Sequence, residues 1–168
     1  MALGVTEAKI AISLQAVEAS AKDLGTAKLT HLIALALTLV DGTTDGTQVN
    51  RVWSDSGSVA AGVPVEIDLL GLLTSQLDGS TVSFVDMVGV FIKILTGSGN
   101  LEIGAGSNPW ITWLKATGDA VVITGANAVF VWLCPNGKAP TATTGDILTL
   151  TSSSGTITYE IAIIGRSA

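Results

Sequence analysis

Apolar and polar residues alternate with a period of two through most of the chain, and this pattern predicts β-strands. The clearest case lies within residues 146–165, where Ile157, Tyr159 and Ile161 alternate with smaller or polar residues. Because successive side chains of a strand point to opposite faces, this strand has one apolar face. With the small-residue turn at 152–155, the pattern predicts a C-terminal hairpin in the core sheet, with a polar face toward solvent.

Two further strands are predicted near the N-terminus. Ile10, Ile12 and Leu14 follow the alternation of a strand, although the alanines around them would also suit a helix. We favour a strand that ends before a turn at 22–25. The odd positions of residues 29–39 are mostly leucine and isoleucine, and they predict a long strand. Because its even positions are also largely apolar, this strand is expected at the centre of a sheet.

Two other strands, within residues 81–95 and 129–134, are apolar on both faces. An antiparallel strand with one face in water should carry polar residues on that face. We therefore expect one face of each strand to pack inside the protein and the other to contact a neighbouring subunit or a covering loop. The candidate interface residues are Val85, Met87, Phe91, Phe130 and Trp132. This interpretation predicts a homodimer or a homotrimer.

The spacing of the predicted strands indicates the fold class. About ten strands follow one another at intervals of roughly 8–14 residues, separated by glycine-rich turns. This pattern predicts an all-β protein with an antiparallel, jelly-roll-like β-sandwich. The composition does not change along the chain, so residues 1–168 are predicted to form a single domain, with residues 1–5 as a flexible N-terminal arm.

Composition and charge narrow the possible partners. Hydrophobic residues make up 48% of the chain and charged residues only 13%, so excess apolar surface must meet either lipid or other subunits. The longest uncharged apolar run, residues 29–40, is too short to span a membrane as a helix, and subunit contacts are favoured. The net charge is −6 and the lysines and arginines are scattered, which disfavours nucleic-acid binding. We expect neither a membrane nor a nucleic acid as partner.

The residues that could carry chemistry do not form a recognisable catalytic or metal-binding motif. His31 is the only histidine and lies within an apolar stripe, and Cys134 is the only cysteine, at the end of an apolar strand. Glu66 and Asp68 share one strand face and are expected to be solvated. Asp86 interrupts an apolar stripe, so it must be paired, solvated or at an interface. We expect no enzymatic activity, metal or cofactor.

Two tryptophans form the most plausible ligand-binding feature. Trp110 and Trp113 lie near a loop within residues 107–113. Tryptophans on a β-sandwich either fill its core or present a stacking surface for a sugar or protein partner. Both possibilities remain open from the sequence, and the second would make the protein a receptor- or glycan-binding module.

The order of several short motifs resembles that of a known group of proteins. These motifs are residues 50–53, 66–69, 78–84, 101–105, 118–119, 145–148 and 159–165. Together they resemble small β-rich virion structural proteins of tailed bacteriophages. The resemblance implies a jelly-roll-like capsid decoration (cement) protein that is made in the host cytoplasm and binds the major capsid protein on the capsid surface. It brings no catalytic residues. The alternative is a receptor- or glycan-binding module of a phage tail or fibre that uses Trp110 and Trp113.

Overall fold

The computed structural model describes residues 5–22, 25–71, 73–76, 78–110, 113–114, 116 and 118–167, with side chains described for all of these except 18–22, 25–29 and 31. Within these ranges the chain forms strands and turns and no helix. The strands are β1 (Glu7–Lys22), β2 (Gly25–Asp41), β3 (Gln48–Val49), β4 (Arg51–Val59), β5 (Val65–Asp68), β6 (Leu73–Thr74), β7 (Thr81–Val82), β8 (Asp86–Thr96), β9 (Asn100–Gly104), β10 (Ala120–Thr124), β11 (Val129–Lys138), β12 (Ile147–Ser152) and β13 (Ile157–Arg166).

Eight of these strands form two four-stranded sheets. Sheet I has the order β4-β13-β8-β11, and sheet II has the order β5-β12-β9-β10, with every pairing antiparallel. We number these eight strands from one to eight along the chain. The spatial order in sheet I is then 1-8-3-6, and the spatial order in sheet II is 2-7-4-5. This is the order of a jelly roll. The predicted all-β, jelly-roll-like fold class is therefore confirmed, and the ten strands longer than two residues match the predicted number.

The core lies between the two sheets. The predicted apolar stripe of β13 is confirmed, because Ile157, Tyr159, Ile161 and Ile163 are all buried. These residues belong to one continuous apolar cluster with inward-facing residues of both sheets, such as Leu150 of β12. The alternation along β13 thus correctly predicted which of its side chains enter the core.

The predicted C-terminal hairpin is wrong in its pairing. β12 pairs with β5 and β9 in sheet II, whereas β13 pairs with β4 and β8 in sheet I. The small-residue turn therefore carries the chain from one sheet to the other, and the Ser152 hydroxyl donates to the carbonyls of Ser154 (3.0 Å) and Gly155 (3.1 Å) within it. A period of two identifies the buried face of a strand but does not identify its neighbour. β13 is an inner strand of sheet I, and Glu160 on its outer face is exposed, as the predicted polar face requires.

Strands β1 and β2 form a long two-stranded ribbon, here called the N-terminal ribbon. They pair without interruption from Glu7 opposite Val40 to Lys22 opposite Gly25. The predicted turn at 22–25 agrees with this pairing, although residues 23–24 lie outside the described part of the chain, as does most of the predicted flexible arm at 1–5. The second strand was expected at the centre of a sheet, and β2 is the middle strand of the small sheet β1-β2-β3. In the described part of the chain, however, β3 pairs with β2 only at Val40 and Asp41, so most of β2 is paired with β1 alone.

The side chain of Arg166 joins several loops at the end of sheet I. It is only 2% exposed, and its Nη2 lies 2.9 Å from Oδ1 of Asp45. Its Nε lies 3.6 Å from Oδ2 of Asp86, so the pairing expected for this carboxylate is found. The Nη1 group donates to three backbone carbonyls, those of Thr44 (3.4 Å), Gln48 (3.2 Å) and Pro135 (3.2 Å). One cation therefore connects β13 to the loop before β3, to the start of β8 and to β11.

Candidate interaction surface

The N-terminal ribbon has one strongly apolar face. Directly opposite residues of an antiparallel pair lie on the same face. Ile12 lies opposite Leu35, and Leu14 opposite Ile33, so these four aliphatic side chains form a continuous strip. All four are exposed, with Leu14 at 62% and Ile33 at 73% of their full accessible surface. Exposed apolar strips of this kind mark interaction sites in soluble proteins.

The opposite face of the ribbon carries small residues and, further along, the exposed Leu32 and Val17. Ala11 lies opposite Ala36, and Ser13 opposite Ala34, and all four are exposed. Residues 10–17 and 30–40 contain no Asp, Glu, Lys or Arg. A partner that covers this part of the ribbon therefore removes no charged side chain from water.

The base of the ribbon packs on the outer face of sheet I, the face that points away from the core. Here Ile10 of β1 and Leu39 of β2 are buried in a second apolar cluster together with Val88 and Ile164 of sheet I. The apolar face of the ribbon is therefore covered at its base. The strip formed by the pairs Ile12/Leu35 and Leu14/Ile33 continues the same face beyond the cluster.

Beside the ribbon base, the outer face of sheet I remains partly uncovered. Val52, Val129 and Val131 are exposed there. A groove of about 500 Å³ runs between the ribbon base and this face, and its lining includes Ile12, Val52, Phe91, Val131, Ala162 and Ile164. A second groove of about 550 Å³ shares Phe91 and Ala162 with the first and extends toward Asp55, Lys93 and Glu160. We call this combined region the sheet I groove.

The predicted interface residues fall on different sides of the protein. Val85 is exposed, and Phe91 lines the sheet I groove. Met87 is fully buried in the main core, which corrects its assignment to an interface. The register of β8 against β13 shifts between Ile164 and Gly165, so the alternation is broken at this point. As a result Met87 faces the core, whereas its neighbour Val88 joins the cluster under the ribbon.

Phe130 and Trp132 also face inward, which corrects their assignment. They lie opposite the core residues Ile92 and Val90 of β8, and both pack against the main apolar cluster. The outward-facing residues of β11 are instead Val129 and Val131. Both faces of this strand are apolar, as the sequence indicated, but the candidate contact face is the one with the valines.

Trp110 and Trp113 belong to an aromatic cluster in the interior. Trp110 is buried, and its ring meets those of Trp113 and Trp132 edge-on, with centroids 4.9 and 5.0 Å apart. Trp113 also packs against Phe130 at 5.4 Å. Edge-to-face packing of this type stabilises a core. Of the two possibilities that the sequence left open, the geometry of Trp110 corresponds to core filling, because its side chain is buried, whereas Trp113 is only partly buried.

The remaining residues considered for chemistry are dispersed. The thiol of Cys134 donates to the carbonyl of Gly137 at 3.6 Å, and the Asp68 carboxylate accepts a hydrogen bond from the Leu70 amide at 2.9 Å. The side chain of His31 lies outside the described part of the structure. Among the described residues, no group of three histidine, cysteine, aspartate or glutamate side chains is arranged to hold a metal ion.

Comparison with known proteins does not extend this assignment: no protein-family model matches the chain, and no curated protein matches its sequence. In the part of the chain that the structure describes, no helix is long and apolar enough to cross a membrane. The class of protein that fold and surface define is thus a jelly-roll protein with an exposed apolar ribbon.

The exposed position of the ribbon was not foreseen from the sequence. A usable signal was present, however, because β1 and β2 contain 16 and 17 residues. Strands of globular proteins are usually 3–10 residues long, so a hairpin of this length extends beyond the sandwich that carries it.

Proposed function

We propose that the protein is a structural component of a bacteriophage virion, a capsid decoration protein that binds the major capsid protein and stabilises the head. In this proposal it is made in the host cytoplasm, acts on the capsid surface and works through protein–protein contacts without catalysis. The observation that carries the proposal is the N-terminal ribbon, which exposes a strip of large aliphatic side chains. The resemblance of the short motifs to virion structural proteins supports the same assignment.

The ribbon supports a role in assembly for a thermodynamic reason. A two-stranded hairpin is at best marginally stable in water on its own, and each exposed aliphatic side chain gains free energy when it is removed from water. The ribbon therefore gains stability when a protein surface covers its apolar strip. A jelly-roll body with such an extension is suited to bridging subunits of a shell.

The alternative is a receptor- or glycan-binding module of a tail or fibre. It depends on Trp110 and Trp113 as a stacking surface. Because Trp110 is buried against two other tryptophan rings, this alternative has less support than the structural role.

The proposal is tested by binding to capsids. The purified protein is mixed with heads assembled from the major capsid protein encoded in the same phage genome, and the mixture is sedimented through a sucrose cushion. We expect co-sedimentation that saturates at a fixed ratio of the two proteins, and decorated heads that withstand higher temperatures than bare heads. If the protein stays in the supernatant at every concentration, or binds without saturation, the proposed function is wrong.

A further inference from the structure

We infer that two copies of the chain exchange their N-terminal ribbons, so that the free apolar strip of each ribbon lies in the sheet I groove of the other copy. This inference rests on the proposed function, in which the protein acts through contacts with protein subunits, and it names one of those subunits as a second copy.

The first argument is continuity with a contact that already exists within one copy. The ribbon base, with Ile10 and Leu39, already packs on the outer face of sheet I. Beyond this base the same ribbon face continues as the exposed strip, and beside the base the same sheet face continues as the exposed groove. Ile12 still lines the groove on its own sheet, but the ribbon continues well beyond it, since the strand from Ile12 to Lys22 covers roughly 35 Å at about 3.3 Å per residue. A second copy offers the strip a surface with the same chemistry as the one that its own base covers.

The second argument is the area available. The strip has four exposed residues, and the groove has three exposed valines. At about 180 Å² for a fully exposed aliphatic residue, they leave roughly 600 Å² of aliphatic surface per copy in water. One ribbon on one groove falls short of the ~1,200–2,000 Å² of a stable interface. A two-fold exchange makes this contact twice and reaches the lower end of that range. The area therefore favours a closed dimer.

The third argument concerns charge. The part of the ribbon that would be covered has no charged side chain. The sheet I groove is lined by four charged residues, Lys9, Asp55, Lys93 and Glu160, and Lys93 lies opposite Glu160 in the register of β8 and β13. Ribbon exchange thus brings an uncharged part of the ribbon against a groove whose two cations and two anions balance.

The experiment uses single aspartate substitutions in the full chain. Ile33→Asp and Leu14→Asp alter the strip, and Val131→Asp and Val129→Asp alter the groove. Val122→Asp is the matched control, because Val122 is 51% exposed, within the range of the four altered residues, but lies on β10 of sheet II. Molar mass is measured by size exclusion with light scattering, and circular dichroism verifies folding. We expect dimers for the wild type and the control, and at least 100-fold weaker association for each strip and groove variant.

Mixing then distinguishes ribbon exchange from direct packing of one ribbon on another. The Ile33→Asp variant retains an intact groove, and the Val131→Asp variant retains an intact strip. Their mixture can form one of the two contacts, whereas each variant alone can form neither, so we expect the mixture to associate more tightly than either variant alone and more weakly than the wild type. If the mixture associates no more tightly than the separate variants, ribbon exchange is wrong. A monomeric or trimeric wild type, or a control variant that dissociates like the others, also overturns the inference.

The outcomes for the two proposals are separable. A monomeric wild type that still saturates capsids would overturn ribbon exchange and leave the decoration function standing. A dimer that depends on strip and groove but does not bind capsids would support ribbon exchange and overturn the decoration function.

Discussion

Replacing Arg166 by methionine tests how far one buried cation holds the end of the jelly roll together. Methionine retains most of the aliphatic volume but removes the charge and the donors. The change leaves the carbonyls of Thr44, Gln48 and Pro135 without their charged partner and leaves the Asp86 carboxylate unpaired. The lost contacts involve three separate segments, so the effect should appear in global stability.

The expected magnitude follows from burial. Removing one partner of a buried ion pair costs about 3–5 kcal/mol, because the other charge is left uncompensated. Here the Asp86 side chain is 30% exposed and the N–O distances are long, so we expect the free energy of unfolding to fall by roughly 2–4 kcal/mol. Asp45 is 66% exposed, and its pair with Arg166 is screened by water. Asp45→Asn should therefore cost under about 1 kcal/mol.

The assay is urea unfolding followed by tryptophan fluorescence, with all variants at one protein concentration so that association contributes equally. Arg166→Lys should also be destabilised, because an ammonium group cannot reach the same set of acceptors as a guanidinium. Arg166→Met combined with Asp86→Leu should recover part of the loss, since it removes the unpaired carboxylate. An unchanged midpoint for Arg166→Met, or an equal loss for Asp45→Asn, would refute the reasoning.

Two further predictions concern a glycine and the single tyrosine. Gly137 has a φ of 75°, and a Cβ there would press on the Arg166 guanidinium and approach Cβ of Asp86 at 2.9 Å. Gly137→Ala should therefore lower the free energy of unfolding in urea by about 2–4 kcal/mol. Gly155→Ala is the control: its φ is 62° with open space around it, and it should cost only about 1 kcal/mol. Burial, and then the charge of Asp55, raise the pKa of Tyr159 above its ordinary value of 10.0. The folded state then keeps the phenolic proton at pH values where the unfolded chain has lost it, so stability should fall as the pH rises above 10. Tyr159→Phe should reduce this alkaline loss at pH values above about 10, and equal losses in both proteins would contradict the prediction.

The alternation of side chains predicted the buried faces well but not the arrangement of the strands. The stripe that contains Ile157 and Ile161 was predicted correctly because burial of alternate residues depends only on the local pleat. The partner of β13 could not be predicted, since its neighbours β4 and β8 are distant in sequence and many strands offer a similar apolar face. Met87 was misplaced because a register shift reverses the alternation, and no residue type signals such a shift reliably.

The ribbon shows a different limit of sequence reasoning. Its leucine-rich second strand has the composition of a central strand, and a central position was predicted from that composition. Composition indicates that apolar side chains require cover, but it does not state whether the cover comes from the same chain or from another. Leu14 and Ile33 are exposed, and the sequence leaves open which surface covers them.

In the inferred ribbon exchange, the insertion of β13 beside β4 also determines when the groove becomes available. The segments joined at this end of sheet I are far apart in the chain, since Asn50 and Ser167 are hydrogen-bonded across 117 positions. The two strands of the ribbon are neighbours in sequence, and hairpins form within about 1–10 μs, whereas sheets built from distant strands form in milliseconds to seconds. During synthesis the ribbon can therefore fold before sheet I has its central strand. The groove appears only once β13 has been inserted, so a nascent chain can present a ribbon but cannot yet receive one.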